Sequence, residues 1–169
     1  MNGVLLGALA GLAATGPMSL AMKLMHEQLP EHEKYPLPPR AVTMEVAERA
    51  GVKEEMDEGE REAATWAGHF GYGAACGALY GALAANRRVP PLAAGVGFGL
   101  AVWAGSYLGW LPAAGLLRPA TEHPPRRAAL MIAAHAVWGA TTGLAVAALS
   151  DEQGERRARR KQDGQGGRY

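Results

Sequence analysis

Much of what this 169-residue chain can be is decided by what it lacks. It has one cysteine, Cys76, which excludes an intrachain disulfide, a C-x-x-C redox pair and a multi-thiolate zinc site. It has no Walker loop, no H-E-x-x-H and no nucleophile elbow, so no catalytic motif announces an enzyme. Charge is missing from four long runs: residues 1–22, 63–86, 89–117 and 128–150 contain no Asp, Glu, Lys or Arg. A soluble four-helix bundle needs a polar face on each helix, and none of these runs supplies one. Each run instead reaches the ~20 residues that cross a ~30 Å hydrocarbon core. The mean hydropathy of −0.08 is an average over these runs and two strongly charged regions. A net charge of +1 marks no nucleic-acid partner.

What is present is a repeated skeleton. Residues 67–85, AGHFGYGAACGALYGALAA, and 133–149, AAHAVWGATTGLAVAAL, both read small-His-x-x-aromatic-Gly-Ala-x-x-Gly. His69, Gly73, Gly77 and Gly81 fall on one i, i+4 row of a helix, and His135, Gly139, Gly143 and Ala147 fall on the corresponding row of another. Such rows are packing surfaces in lipid, where helices associate by close backbone approach because the tails leave no hydrophobic drive between them.

The first run carries a similar row at Gly3, Gly7 and Gly11, and Gly16-Pro17 predicts a kink, with Thr15 and Ser19 available to the freed backbone groups. It lacks a basic leader and stays apolar past Pro17, so it reads as a retained helix. Residues 26–62 hold eleven acids against five bases and form a water-side loop. Within it YPLPPR, residues 35–40, is predicted extended, followed by a short helix with a stripe at Val42, Val46 and Ala50. The short connection around Arg87-Arg88 predicts that the second and third spans are antiparallel neighbours. The third carries a small row at Gly97, Ala101, Gly105 and Gly109. Pro38-Pro39-Arg40 recurs as Pro124-Pro125-Arg126, and Gly7 and Gly11 recur as Gly95 and Gly99, so the chain reads as two similar hairpins.

The expected fold is therefore all-α: an integral membrane four-helix bundle of two pseudo-repeated hairpins. Spans are placed at about 3–25, 63–86, 91–111 and 128–149, with a charged disordered tail at 151–169. Basic residues at Arg87, Arg88 and just past the last span favour both termini in the cytoplasm, although the opposite loops are also basic.

His69 and His135 lie at matched depth, ~9 to 12 Å into their helices at 1.5 Å per residue. Three readings stand side by side: neutral imidazoles packed through hydrogen bonds, a proton-responsive pair, or two axial ligands to haem. Arg40 and Arg126, on the same side, suit a clamp for phosphate or carboxylate, or a structural lid paired with Glu33 and Glu122. Met18, Met22, Met25 and His26 share a helix face and suit Cu(I) or plain core packing, packing being the better fit. No metal and no cofactor is assigned. Expected partners are the lipid bilayer, a second copy in a homo-oligomer, and an unidentified small molecule or ion.

With PLPPR at 36–40, Ala67-Gly68-His69 opening a glycine-row helix, Leu111-Pro112 to Gly115-Leu116, and Ala134-His135-Ala136-Val137-Trp138, residues 1–150 resemble the YagU-like family. That resemblance implies a small bacterial inner-membrane protein with no assigned reaction and an association with acid tolerance. The long acidic first loop and the charged tail depart from it. The functional expectation is a pH-responsive membrane protein, with a small transporter or channel subunit as the alternative and a haem- or copper-binding protein behind both.

Overall fold

The structure is a computed structural model that describes residues 2–83 and 89–166, the side chains of 156–166 apart. The described residues are helical with no strand. Helix α1 spans Gly3–Glu27, α2 Pro38–Arg49, α3 Glu58–Leu83, α4 Pro91–Ala104, the single turn α5 Leu111–Ala113, and α6 Pro125–Gly166. Arg87-Arg88 lies outside the described residues.

Local sequence sets most of these ends. The Asn2 side chain caps α1 by accepting from the Leu5 amide at 2.9 Å. Asp57 and Glu60 form a reciprocal capping box, each side chain accepting from the other's backbone N–H. That box starts α3 at Glu58, a full turn before the charge-free run begins. Gly51 and Gly115, both at positive φ, follow α2 and α5, where a left-handed residue closes the last turn.

The prolines do something other than predicted. Only the segment up to Leu37 is extended; Pro38 and Pro39 occupy the first turn of α2, where a missing N–H costs nothing. Pro125 likewise starts α6. The two Pro-Pro-Arg motifs are thus helix starts, one for a short separate helix and one for a long helix itself. In α2 the buried positions are Pro38 and Ala47, rather than the predicted stripe. The helix of α1 continues through Pro17, and Thr15 and Ser19 turn their hydroxyls to the carbonyls four residues back. The charged tail is helical as far as Gly166, where its Ala, Arg, Lys, Glu and Gln favour helix and no proline interrupts it.

Among the described residues, three helices are long and apolar enough to cross a membrane: Gly3–Glu27, the α4–α5 stretch Pro91–Ala113, and Pro125–Glu155. The remaining predicted span, on α3, is diluted by His69, Tyr72, Tyr80 and its glycines.

Packing follows glycine. Antiparallel α1 and α3 interlock, since a Cβ on Gly3, Gly7 or Gly11 would fall on backbone of Gly81, Gly77 or Gly73. Antiparallel α4 and α6 do the same through Gly95 and Gly99 against Gly139 and His135. The row predicted at 97, 101, 105 and 109 faces outward instead: nothing lies near a Cβ built at Gly97, Gly105 or Gly109. In space the long helices run in the order α3, α1, α6, α4. α3 and α4, predicted to be antiparallel neighbours, approach each other little along their backbones. A core of Ala14, Met18, Met22, Leu130, Met131 and Trp138 joins α1 to α6. Leu5, Leu9, Leu20 and Leu24 of α1 and Leu79 and Leu83 of α3 face outward, an apolar exterior.

Candidate functional site

Both histidines reach one cavity. It has a volume of about 330 Å³ and lies between α3 and the C-terminal end of α4, with α1 and α6 behind it and α2 above. On α3 the face that carries His69 also carries Tyr72 and Cys76 to the cavity wall. On α6 the equivalent face carries Met131, His135 and Trp138. The aromatic residue of the repeated motif, Tyr72 in one copy and Trp138 in the other, faces the cavity in both.

The fourth wall comes from an irregularity. Between Gly105 and Trp110 the helix widens into a π-helical turn with a kink at Gly109, where φ is −115° and ψ −106°. Such turns shift the angular register of the residues beyond them, and here Ser106, Tyr107 and Trp110 line the cavity. Ser106 Oγ lies 2.8 Å from Tyr72 Oη, and Trp110 Nε1 donates to the same phenol oxygen at 3.4 Å. Tyr107 sets its ring edge-on to His135, with centroids 5.6 Å apart.

The two imidazoles are held differently. His135 Nδ1 is 2.8 Å from the Met131 carbonyl oxygen, which can only accept, so Nδ1 carries the hydrogen. The neutral ring therefore presents Nε2 as a lone-pair acceptor. His69 has no such anchor: its Nε2 is buried without a hydrogen-bond partner among the described residues. Trp138, one turn beyond His135, donates from Nε1 to the Gly11 carbonyl at 3.0 Å and ties α6 to α1.

Neither predicted arginine enters the cavity wall. Arg40 pairs with Glu58 rather than Glu33, donating to both carboxylate oxygens at 2.9 Å, and so holds the start of α2 to the start of α3. Arg126 is exposed, and its neighbour Arg127 is the buried one, at 5% exposure. Arg127 donates to the carbonyls of Glu33, Tyr35 and Pro36 and lies 3.5 Å above the Tyr35 ring. The lid cation was legible in principle, since Arg127, Met131 and His135 follow an i, i+4 row and Arg126 falls off it. Arg49 fastens the other end of α2 by donating to the carbonyls of Ala114 and Gly115 at 2.7 and 2.8 Å. Beside Arg127, His123 Nδ1 lies 2.8 Å from Tyr35 Oη, and burial lowers the His123 pKa below its ordinary 6.5.

The methionine row behaves as core. Met18 and Met22 are buried and Met25 packs against them, while His26 donates from Nε2 to the Tyr35 carbonyl. No cluster of three or more His, Cys, Asp or Glu able to hold a metal ion occurs among the described residues. None of the described lining residues is charged. Comparison with known proteins finds no matching family model, no matching curated protein and no matching solved structure.

Proposed function

We propose that this chain is a multi-pass membrane protein that binds a small, largely apolar ligand in the cavity shared by His69 and His135. The observation that carries the reading is that cavity: two imidazoles from different helices, four aromatic rings and no charged side chain among the described lining residues. Binding pockets have this composition, a mostly apolar wall with a few polar groups that fix orientation.

The membrane part rests on the three apolar helices and the outward-facing leucines. α3 crosses with them, because its glycines Gly73, Gly77 and Gly81 are locked against Gly11, Gly7 and Gly3 of α1. Its polar groups are compatible with lipid when they turn inward, as Tyr72 and His69 do. Hydroxyls elsewhere are satisfied within their own helices: Thr141, Thr142 and Ser150 donate to the carbonyls of Val137, Trp138 and Val146. Four crossings in two hairpins put both termini on one side, the cytoplasmic side by the basic residues past α6. The YagU-like resemblance points to the same inner-membrane setting. An acid response fits the histidine pair, since a proton on either ring puts charge into one shared cavity. Passage of the ligand, as in a small transporter, is the second reading, favoured by the weak α3–α4 seam.

Two measurements test this. The protein stays with the membrane pellet after alkaline carbonate washing; recovery in the supernatant sinks the membrane assignment. Protein purified in mild detergent releases an apolar compound into organic solvent, and Val42→Trp, which fills the cavity from α2, carries much less of it. Identical extracts from the two proteins sink the ligand reading.

A further inference from the structure

The chemistry of the ligand and its way in can both be argued from how the cavity is closed. Toward water the roof is α2, fastened at one end by Arg40 to Glu58 and at the other by Arg49 to the carbonyls of Ala114 and Gly115. Toward the bilayer the closure is thinner. Among the described residues α3 meets α4 and the π-helical turn after it chiefly through side chains: Tyr72 with Ser106 and Trp110 near the roof, and Tyr80 with Phe98, centroids 5.2 Å apart, two turns further down. Cys76 lies one turn from each tyrosine on α3, Val102 lies one turn from Phe98 on α4, and both line the cavity. Two small side chains thus occupy the seam between two aromatic struts. A charged ligand would meet no countercharge among the described lining residues, and crossing that seam would strip its water without replacement.

The polar end of the ligand is specified by His135. Its Nδ1–H is committed to Met131, so the neutral ring offers an acceptor at Nε2 and calls for a donor. His69 Nε2, buried and without a partner, supplies the complementary donor in its Nε2–H tautomer. An oxygen that both donates and accepts satisfies the pair; a carbonyl or ether oxygen cannot. We propose that the ligand is a neutral, bilayer-borne amphiphile with a hydroxyl head, which enters between α3 and α4 past Cys76 and Val102 and donates its O–H to His135. This rests on the ligand-binding reading above.

Cys76 is the chain's single cysteine and stands in the proposed window, so the wild-type protein carries its own reporter. In phosphatidylcholine vesicles, Cys76 is labelled with bilayer-soluble pyrene maleimide or with a charged, membrane-impermeant maleimide, in the presence of dodecanol or dodecyl methyl ether. The expected result is faster labelling by the pyrene reagent, and protection by dodecanol at about tenfold lower concentration than by the ether, the worth of one hydrogen bond. Val102→Trp slows the pyrene reaction, and His135→Phe makes alcohol and ether protect alike. Faster labelling by the charged reagent overturns the route through the bilayer. Equal protection by alcohol and ether in the wild type overturns the hydroxyl head and leaves the cavity reading standing, and it does so even if His135→Phe fails to fold. Protection by neither compound defeats the underlying ligand reading.

Discussion

The two glycine-locked helix pairs are built from the same motif but engage one turn apart. In α1–α3, Gly11 meets Gly73, so the lock ends one turn short of His69. In α4–α6, the corresponding Gly99 meets the backbone of His135 itself. The slip of four residues explains why the histidines differ. His135 sits at the lock, 5% exposed, with its Nδ1 anchored on Met131 and its ring against Tyr107. His69 stands beyond the lock at the cavity wall, with Nε2 unpartnered among the described residues. One motif thus yields a positioned acceptor and a ring left free to meet a ligand.

The largest expected effects attack the locks. Gly77→Leu and Gly143→Leu put branched side chains where backbones touch, and each should cost about 1 to 3 kcal/mol or prevent folding. Gly97→Leu, whose Cβ would meet open space, should cost little. Thermal unfolding in detergent reads the difference; three equal midpoints would mean that the rows are not interfaces.

Next come the two adjacent arginines. Arg127→Ala removes donors to three backbone carbonyls, of which that of Glu33 is buried and those of Tyr35 and Pro36 are partly so, for an expected loss of about 1 to 3 kcal/mol; Arg126→Ala should stay within about 0.5 kcal/mol. Comparable losses would return the lid to Arg126. The histidines sharpen the comparison further. Replacing His69 by Phe relieves an unpartnered buried nitrogen and should be neutral or stabilising by up to about 1 kcal/mol. Replacing His135 by Phe removes an anchored ring and should be destabilising by about 1 kcal/mol. Equal costs would erase the distinction between locked and free imidazoles.

The smallest effect is that of pH on the loop seam. Burial depresses the His123 pKa below 6.5; a backbone hydrogen bond at Arg118 opposes it, the charges of Arg127 and Arg118 push the same way as burial, and Glu122 opposes them. With the folded value below the unfolded one, the contribution to stability is present above about pH 6.5 and is lost as pH falls through the depressed value. Amide protection factors in residues 31–37, which Arg127 and His123 hold down, should therefore fall on mild acidification, and His123→Phe should abolish that fall. Pronounced acid sensitivity remaining in His123→Phe would place the titrating group elsewhere.

The sequence by itself determined the helical class, the placement of three apolar spans and the glycine rows of α1, α3 and α6, because each depends on periodicity and length within one segment. It also placed the two histidines at similar distances from their helix starts, since that spacing is a local quantity. The Asp57–Glu60 box was equally local and marks the true start of α3. What only the tertiary structure decided are matters of register between segments. A glycine row says that a helix packs closely; it does not say at which turn it meets its partner, and that turn separates His135 from His69. Nor does a small row name the face that packs, so Gly95 and Gly99 were chosen over Gly97 and Gly105 by the position of α6. The π-helical turn that brings Ser106 and Tyr107 to the cavity has no sequence signature, because one extra residue in a turn is stabilised by what surrounds it. Arg127 was buried in place of Arg126 by the carbonyls of a loop distant in the chain, and a cation goes where unpaired acceptors converge.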